Sequence, residues 1–341
     1  MLRDTLRRAA NGEVLTEGEA ERALETIMEG DAPPAATAAL LTALRVRGER
    51  VPEIVGFARA MRRFAATVEA PKGVVDTCGT GGDAKGTINV STAAAFVARG
   101  AGVVVAKHGN RAATSQAGSA DVLEALGAGI ELGPEEVSRC IAEAGIGFMF
   151  ARTHHPAMRF VAPVRAELPF RTVFNLLGPL TNPAGARRQL VGVFGRAYVR
   201  PVAEALRDLG AEKALVVHGT DGMDEITVTD KTFVADVSDG AIEEYEIKPE
   251  DFGLSRHAPD GLLGGDAYLN ARILRDILTG EERGASRDIV LLNAGAAIHV
   301  SGKAKSVEEG VHLARDSIGD GAAAMALEDF IKITRRLSGT V

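Results

Sequence analysis

The sequence predicts an α/β protein in two parts: a small all-helical N-terminal domain and a large α/β domain whose central, mainly parallel sheet is flanked by helices. Three observations carry that expectation. Residues 1–66 give helical signals alone, short apolar strands alternate with helical segments from Gly73 onward, and residues 267–337 return to almost uninterrupted helix. A chain of 341 residues is long enough for one large domain or two unequal ones, each with its own core. The division is expected at residues 1–70 and 71–341, the small domain being completed by helices near 165–185.

The N-terminal helices follow from local chemistry. Thr16-Glu17-Gly18-Glu19 fits a capping box, Ala23, Ile27 and Met28 continue an apolar face, and Gly30 can end the helix. Residues 35–46 and 52–65 carry two further helical patterns, the second with Pro52 at a permitted first-turn position. At Gly73 the pattern changes: Val74 and Val75 form a short strand that runs into DTCGTGGD, residues 76–83. Residues 103–106, 147–150, 189–194 and 214–218 read as buried strands, with helices over 120–126 and 135–144 between them. Residues 227–245 are β-rich, with Asp239 and Gly240 as turn residues.

Composition excludes several classes of function. Lys+Arg of 39 against Asp+Glu of 46 leaves a charge of -7, which disfavours broad binding to nucleic acid or an anionic membrane. Anionic ligands must therefore be held locally. Two cysteines, Cys78 and Cys140, argue for a reduced compartment rather than a disulfide scaffold. The charged start MLRDTLRRAANG lacks an apolar leader core, and no run of about 18 apolar residues follows. The expected location is cytoplasmic.

Four segments carry chemistry. GTGGD, residues 79–83, follows a strand, so its backbone can approach a phosphate without an intervening Cβ. Extended to Ala84, the run Gly79-Thr80-Gly81-Gly82-Asp83-Ala84 also satisfies the dinucleotide pattern G-x-G-x-x-A, but that pattern needs an acidic residue about 20 positions on. Here the next strand ends in Lys107, which suits phosphate better than a ribose hydroxyl. Lys85-Gly86-Thr87 has the wrong order for a Walker loop. In Asn89-Val90-Ser91-Thr92, Asn89 or Ser91 can cap a helix whose N-terminus attracts anions, and the hydroxyl is a candidate Mg2+ ligand. KHGNR, residues 107–111, is expected as a loop after the next strand, bringing two cations, an imidazole and a carboxamide together. DGMDE, residues 221–225, sets Asp224 beside Glu225; exposed acidic turns are usually inert, but opposite a polyphosphate loop paired carboxylates suit Mg2+. Cys78 is expected as a small packed residue, and His154 and His155, followed by Pro156, lack a second ligand pair at zinc spacing.

Taken together, DTCGTGGD, INVST, KHGNR, GSADVLEALG, HHPAM, APVRAEL, NLLGPLTNPA, DGMDE and LLNAGAAI resemble, in order, the anthranilate phosphoribosyltransferase family, on the scaffold shared with nucleoside phosphorylases. The resemblance implies an Mg2+-dependent transfer from phosphoribosyl pyrophosphate to anthranilate in tryptophan biosynthesis, with two Mg2+ ions per subunit and a homodimer formed through the small domain. It implies phosphoribosyl pyrophosphate contacts from Gly79, Gly82, Asp83, Thr87, Asn89, Val90, Ser91, Thr92, Lys107, His108, Gly109, Asn110, Arg111, Ala112, Ala113, Thr114, Ser115 and Ser119. Mg2+ would fall to Ser91, Asp224 and Glu225. Anthranilate would meet Gly79, His108, Asn110, Arg165 and Pro179, with Arg165 as partner of its carboxylate. Lys107, Gly79 and Gly82 would stabilise the transition state, and no general base is assigned. The chain departs from the family pattern at Gln116 and Ala117, where Ser-Lys-Ser-Gly-Ser is common, and at Arg152, where proline is usual. Two rival readings on the same scaffold are a pyrimidine nucleoside phosphorylase and a noncatalytic nucleic-acid-binding relative.

Overall fold

In the computed structural model, residues 2–112 and 116–339 are described. Ala113, Thr114 and Ser115, expected at the phosphate site, lie outside the described residues. The chain opens with α1 (Leu2–Ala10), α2 (Glu17–Met28), α3 (Pro34–Arg47) and α4 (Val51–Phe64). The Thr16 capping box forms: its hydroxyl accepts from Glu19 N at 3.3 Å, and the Glu19 carboxylate accepts from Thr16 N at 2.9 Å. Proline stands in the first turn of both α3 and α4, where a missing N–H costs nothing.

The rest alternates as expected: β1 (Val75–Gly79), α5 (Val90–Gly100), β2 (Val105–Gly109), α6 (Ser119–Ala125), α7 (Pro134–Ala144) and β3 (Ile146–Phe150). Three short helices follow, α8 (Ala151–His154), α9 (Ala162–Ala166) and α10 (Phe174–Leu177). Then come β4 (Arg188–Gly192), α11 (Val199–Asp208), β5 (Lys213–Gly219), β6 (Thr232–Ser238) and β7 (Ala241–Ile247). Four helices close the chain: α12 (Ala267–Thr279), α13 (Ala285–Ser301), α14 (Val307–Gly319) and α15 (Ala322–Ser338).

The sheet runs β3-β2-β1-β4-β5-β6-β7, with the first five strands parallel and the last two antiparallel. Asp239 (φ 50°) and Gly240 (φ 79°) make the two-residue turn between β6 and β7, a conformation that Asp-Gly favours. Alternation along β5 splits the core. Leu215 and Val217 face the layer containing α5, α13 and α15, whereas Ala214 and Val216 face α11 and the N-terminal helices. Val161, Val173, Phe174, Leu176, Leu177 and Leu180 belong to that second core, so residues 157–180 join the helical bundle to the sheet.

Two expectations need correction. Lys107 and His108 are not loop residues; they lie within β2 and are 3% and 6% exposed. A reading by hydrophobic periodicity stops a strand at its first charge, whereas here the charge is buried against polar partners. Asn89 occupies the N-cap position of α5 without a side-chain capping bond, and Ser91 lies inside the helix. Asn89 spends its amide elsewhere.

Candidate active site

β1 has β2 on one side and β4 on the other, so the strand order reverses at this point and leaves a crevice beyond the strand carboxyl ends. A cavity of about 840 Å³ fills it. Of the described residues expected at the site, all but one line this cavity: the glycine loop, Thr87 to Ser91, Lys107 to Ala112, Ser119, Arg165, Pro179, Asp224 and Glu225. The exception is Thr92, which is fully buried behind the site and donates its backbone N–H to Asn89 O.

The glycine loop owes its shape to left-handed backbone at Gly81 (φ 66°), Gly82 (φ 80°), Ala84 (φ 58°) and Gly86 (φ 65°). Some of its amides are already engaged: Thr80 N donates to Gly192 O, Gly81 N to Asp224 Oδ2 at 2.7 Å, and Lys85 N to Asp83 Oδ1 at 3.1 Å. Among the described residues, Gly82 N and Asp83 N have no protein acceptor, which leaves them for an anion. Glycine at two strand ends has a second purpose. A Cβ at Gly79 would stand 2.5 Å from Asp224 Oδ2, and one at Gly192 would stand 1.5 Å from Asp224 O, so both glycines let the acidic turn seat over the crevice.

Burial sets the electrostatics. Lys107 Nζ donates to Thr77 O and to Ser91 Oγ, and burial pulls its pKa down against the opposing pull of Asp76. Asp76, buried completely, accepts from His108 N at 3.1 Å and Asn182 Nδ2 at 2.7 Å; its pKa is raised by burial. The Asp224 carboxyl is pushed up to about 7, first by burial and then by nearby Asp83. Glu225 is pushed well above the ordinary carboxylate range by burial and by Asp224. Such mutual repulsion marks a place where a cation would be favoured. Among the described residues no group of three or more His, Cys, Asp or Glu side chains could enclose a metal unaided. The donor set fits Mg2+, which takes one or two carboxylates and completes its shell with phosphate and water.

The same cavity holds groups of another character. His108 Nδ1 lies 3.2 Å from Gly178 O, a carbonyl that can only accept, so Nδ1 carries the proton and Nε2 is left as an unpartnered acceptor. The His108 and His155 rings lie 5.0 Å apart. Burial pulls their pKa values down to about 3 and about 4, so both are neutral near pH 7. Arg165, on α9, stacks its guanidinium 5.3 Å from the Phe174 ring centre. It has no ion-pair partner among the described residues, and burial lowers its pKa. Pro179 O accepts from Gln189 Nε2 at 2.7 Å, which fixes that part of the lining. Arg111, by contrast, is taken up by Asp121 at 2.9 Å and Glu124 at 2.8 Å.

Cys78 is buried at the cavity floor, its thiol pushed well up by burial and by Asp76, which suits packing rather than attack. His154 Nδ1 lies 3.1 Å from Phe150 O and is not in the cavity wall, while His155 is. Sequence reasoning missed Arg171, which donates to Gly82 O and covers the Phe194 ring at 4.3 Å. It also missed Asp76 and Asn182, although both stand inside the motifs DTCGTGGD and NLLGPLTNPA. A buried Asp paired with Asn could have been flagged by its place in an apolar strand.

Residues 3–65 match the glycosyl transferase family helical bundle domain, and residues 71–324 match the a/b domain of the glycosyl transferase family. An anthranilate phosphoribosyltransferase from Rubrobacter xylanophilus is 82% identical over 339 residues, 99% of each chain. The crystal structure of anthranilate phosphoribosyltransferase from Thermus thermophilus superposes with a TM-score of 0.93 at 50% identity, covering 97% of this chain and 99% of that one. The Saccharomyces cerevisiae enzyme, solved in complex with PRPP and Mg and in complex with 4-fluoroanthranilate, is 28% identical, with TM-scores of 0.90 and 0.88 over 98% of both chains. Matched end to end in sequence and in three dimensions, the chain belongs to the anthranilate phosphoribosyltransferase family.

Proposed function

We propose that this chain transfers the phosphoribosyl group of phosphoribosyl pyrophosphate to the amine of anthranilate, giving N-(5-phosphoribosyl)anthranilate and pyrophosphate in tryptophan biosynthesis. The observation that carries the reading is one cavity lined by two kinds of group. A glycine loop and the Asp83, Asp224 and Glu225 carboxylates suit a diphosphate and its metal; a neutral His108 and an Arg165 with no ion-pair partner among the described residues suit an aromatic amine that carries a carboxylate.

Ser91, Asp224 and Glu225 would hold Mg2+, two ions per subunit with the diphosphate bound. The metal supplies fixed positive charge against the charge that develops on departing pyrophosphate. Gly82 N and Asp83 N would donate to phosphate oxygens, while Lys107, bonded to Ser91 Oγ, places its charge behind the same end of α5. Arg165 would pair with the anthranilate carboxylate, and His108 Nε2 would accept from the amine, aiming its lone pair at the ribose carbon. An aromatic amine is already largely neutral at pH 7, so these residues orient and no base is required. The small domain is read as residues 1–70 with the helices near 165–185, and the large domain as 71–341. The protein is read as cytoplasmic and as a homodimer joined through the small domain; exposed Val14 and Val46, both within that domain, support the dimer.

Replacing Arg165 with alanine tests its assignment to anthranilate. The expected result is a rise in KM for anthranilate of about 10- to 100-fold, from the roughly 1.5–3 kcal/mol of a hydrogen bond to a charged group. KM for phosphoribosyl pyrophosphate should stay within about twofold. Equal changes in both constants would remove Arg165 from the anthranilate site.

A further inference from the structure

Asn270, in the second turn of α12, is 3% exposed and belongs to none of the motifs above. Its Oδ1 accepts from Gly265 N at 2.8 Å, and its Nδ2 donates to Asn89 Oδ1 at 2.9 Å. Asn89 Nδ2 in turn donates to Ala117 O at 3.1 Å. These three bonds have one direction. Gly265 N–H can only donate and the Ala117 carbonyl can only accept, so the two backbone ends dictate how both carboxamides are turned. Neither amide can flip alone.

The relay joins three segments of the cavity surroundings. Residues 262–265 also pair with the end of the glycine loop through Gly264 N to Gly86 O (2.8 Å) and Ile88 N to Leu262 O (3.1 Å). A Cβ at Gly264 would stand 2.6 Å from Asn270 Oδ1 and 2.9 Å from Thr87 O, so this contact has no spare room. The relay also accounts for the missing cap on α5: the Asn89 carboxamide is directed sideways into it.

We propose that Asn270 is a positioning residue for phosphoribosyl pyrophosphate binding, fixing the orientation of the Asn89 amide and tying the glycine-loop end to the segment at Ala117. Its link to that substrate rests on the function proposed above. The loop-tying does not, and the two can fail separately.

The discriminating variant is Asn270→Asp, which keeps size and the bond from Gly265 N but, when ionised, cannot donate to Asn89 Oδ1. Asn270→Leu serves as the control that can never donate. Amide hydrogen exchange of the ligand-free variants should quicken in residues 84–89 and 116–119, with the sheet protected as in the unmodified protein. In turnover at about pH 8, KM for phosphoribosyl pyrophosphate should rise at least about tenfold, while kcat and KM for anthranilate stay within about twofold. Lowering the pH to about 6 should bring the Asn270→Asp to wild-type ratio back toward one, because burial raises a carboxyl pKa and the protonated group donates again. The leucine variant should show no such recovery. Exchange unchanged in both segments, or no difference between the variants' pH profiles, overturns the relay. If the unmodified protein does not turn over, the functional reading fails, and the exchange result still decides whether Asn270 ties the loops.

Discussion

His155 illustrates how single residues at this site are governed by burial rather than by exposure to solvent. It is 3% exposed, and its pKa falls to about 4, chiefly by burial and then by His154, against a smaller opposing pull from the Thr181 backbone. A folded-state pKa below the unfolded value means that the unfolded chain binds the proton more readily. Stability from the neutral ring is thus complete above about pH 6.5 and is lost as pH falls toward 4, at up to about 1.4 kcal/mol per pH unit for one proton. Urea unfolding at pH 7, 6 and 5 should show a falling midpoint, and His155→Asn should make that fall shallower. An identical slope in the variant would mean that His155 already carries a proton, or an ordinary pKa, in the folded protein.

At the scale of elements, the strand ends decide where the acidic turn can lie. Gly192 closes β4, and a methyl group there would fall 1.5 Å from Asp224 O, within backbone rather than against a yielding side chain. Gly192→Ala should therefore displace the 221–225 turn, weakening Mg2+ dependence and cutting kcat/KM by at least about tenfold, since misplacement near 1 Å can cost 100-fold. Measured Mg2+ activation equal to that of the unmodified protein would show that the turn need not sit where it does. Gly192 also marks the limit of what could be read without coordinates. Periodicity located every parallel strand and the Thr16 cap was legible as a motif, because those signals are local. The burial of Lys107 within β2, the sideways use of Asn89 and the packing of Gly192 beneath Asp224 each depend on residues more than 15 positions away. The chemistry of the site was legible as types of residue; its depth and its hydrogen-bond partners were not.

The molecule as a whole solves one problem: a chain of net charge -7 must hold a highly anionic substrate. It does so by gathering its response in one crevice at the strand reversal, with the bundle-linked segment 157–180 contributing to the lining. No described helix is long and apolar enough to cross a membrane. The same bundle leaves Val46 83% exposed and Val14 45% exposed, and the proposed dimerisation through it predicts a particle of twice the 35.6 kDa chain mass. Light scattering should give that mass, and Val46→Glu should shift it toward the monomer; a monomer at micromolar concentration in the unmodified protein would contradict the dimer.

The central claim is most directly tested by following anthranilate fluorescence in purified protein with phosphoribosyl pyrophosphate, across an Mg2+ titration and with an EDTA control. The account predicts loss of fluorescence that requires both the diphosphate and Mg2+, with pyrophosphate released in equal amount. Unchanged fluorescence at every Mg2+ concentration, with both substrates saturating, would contradict it.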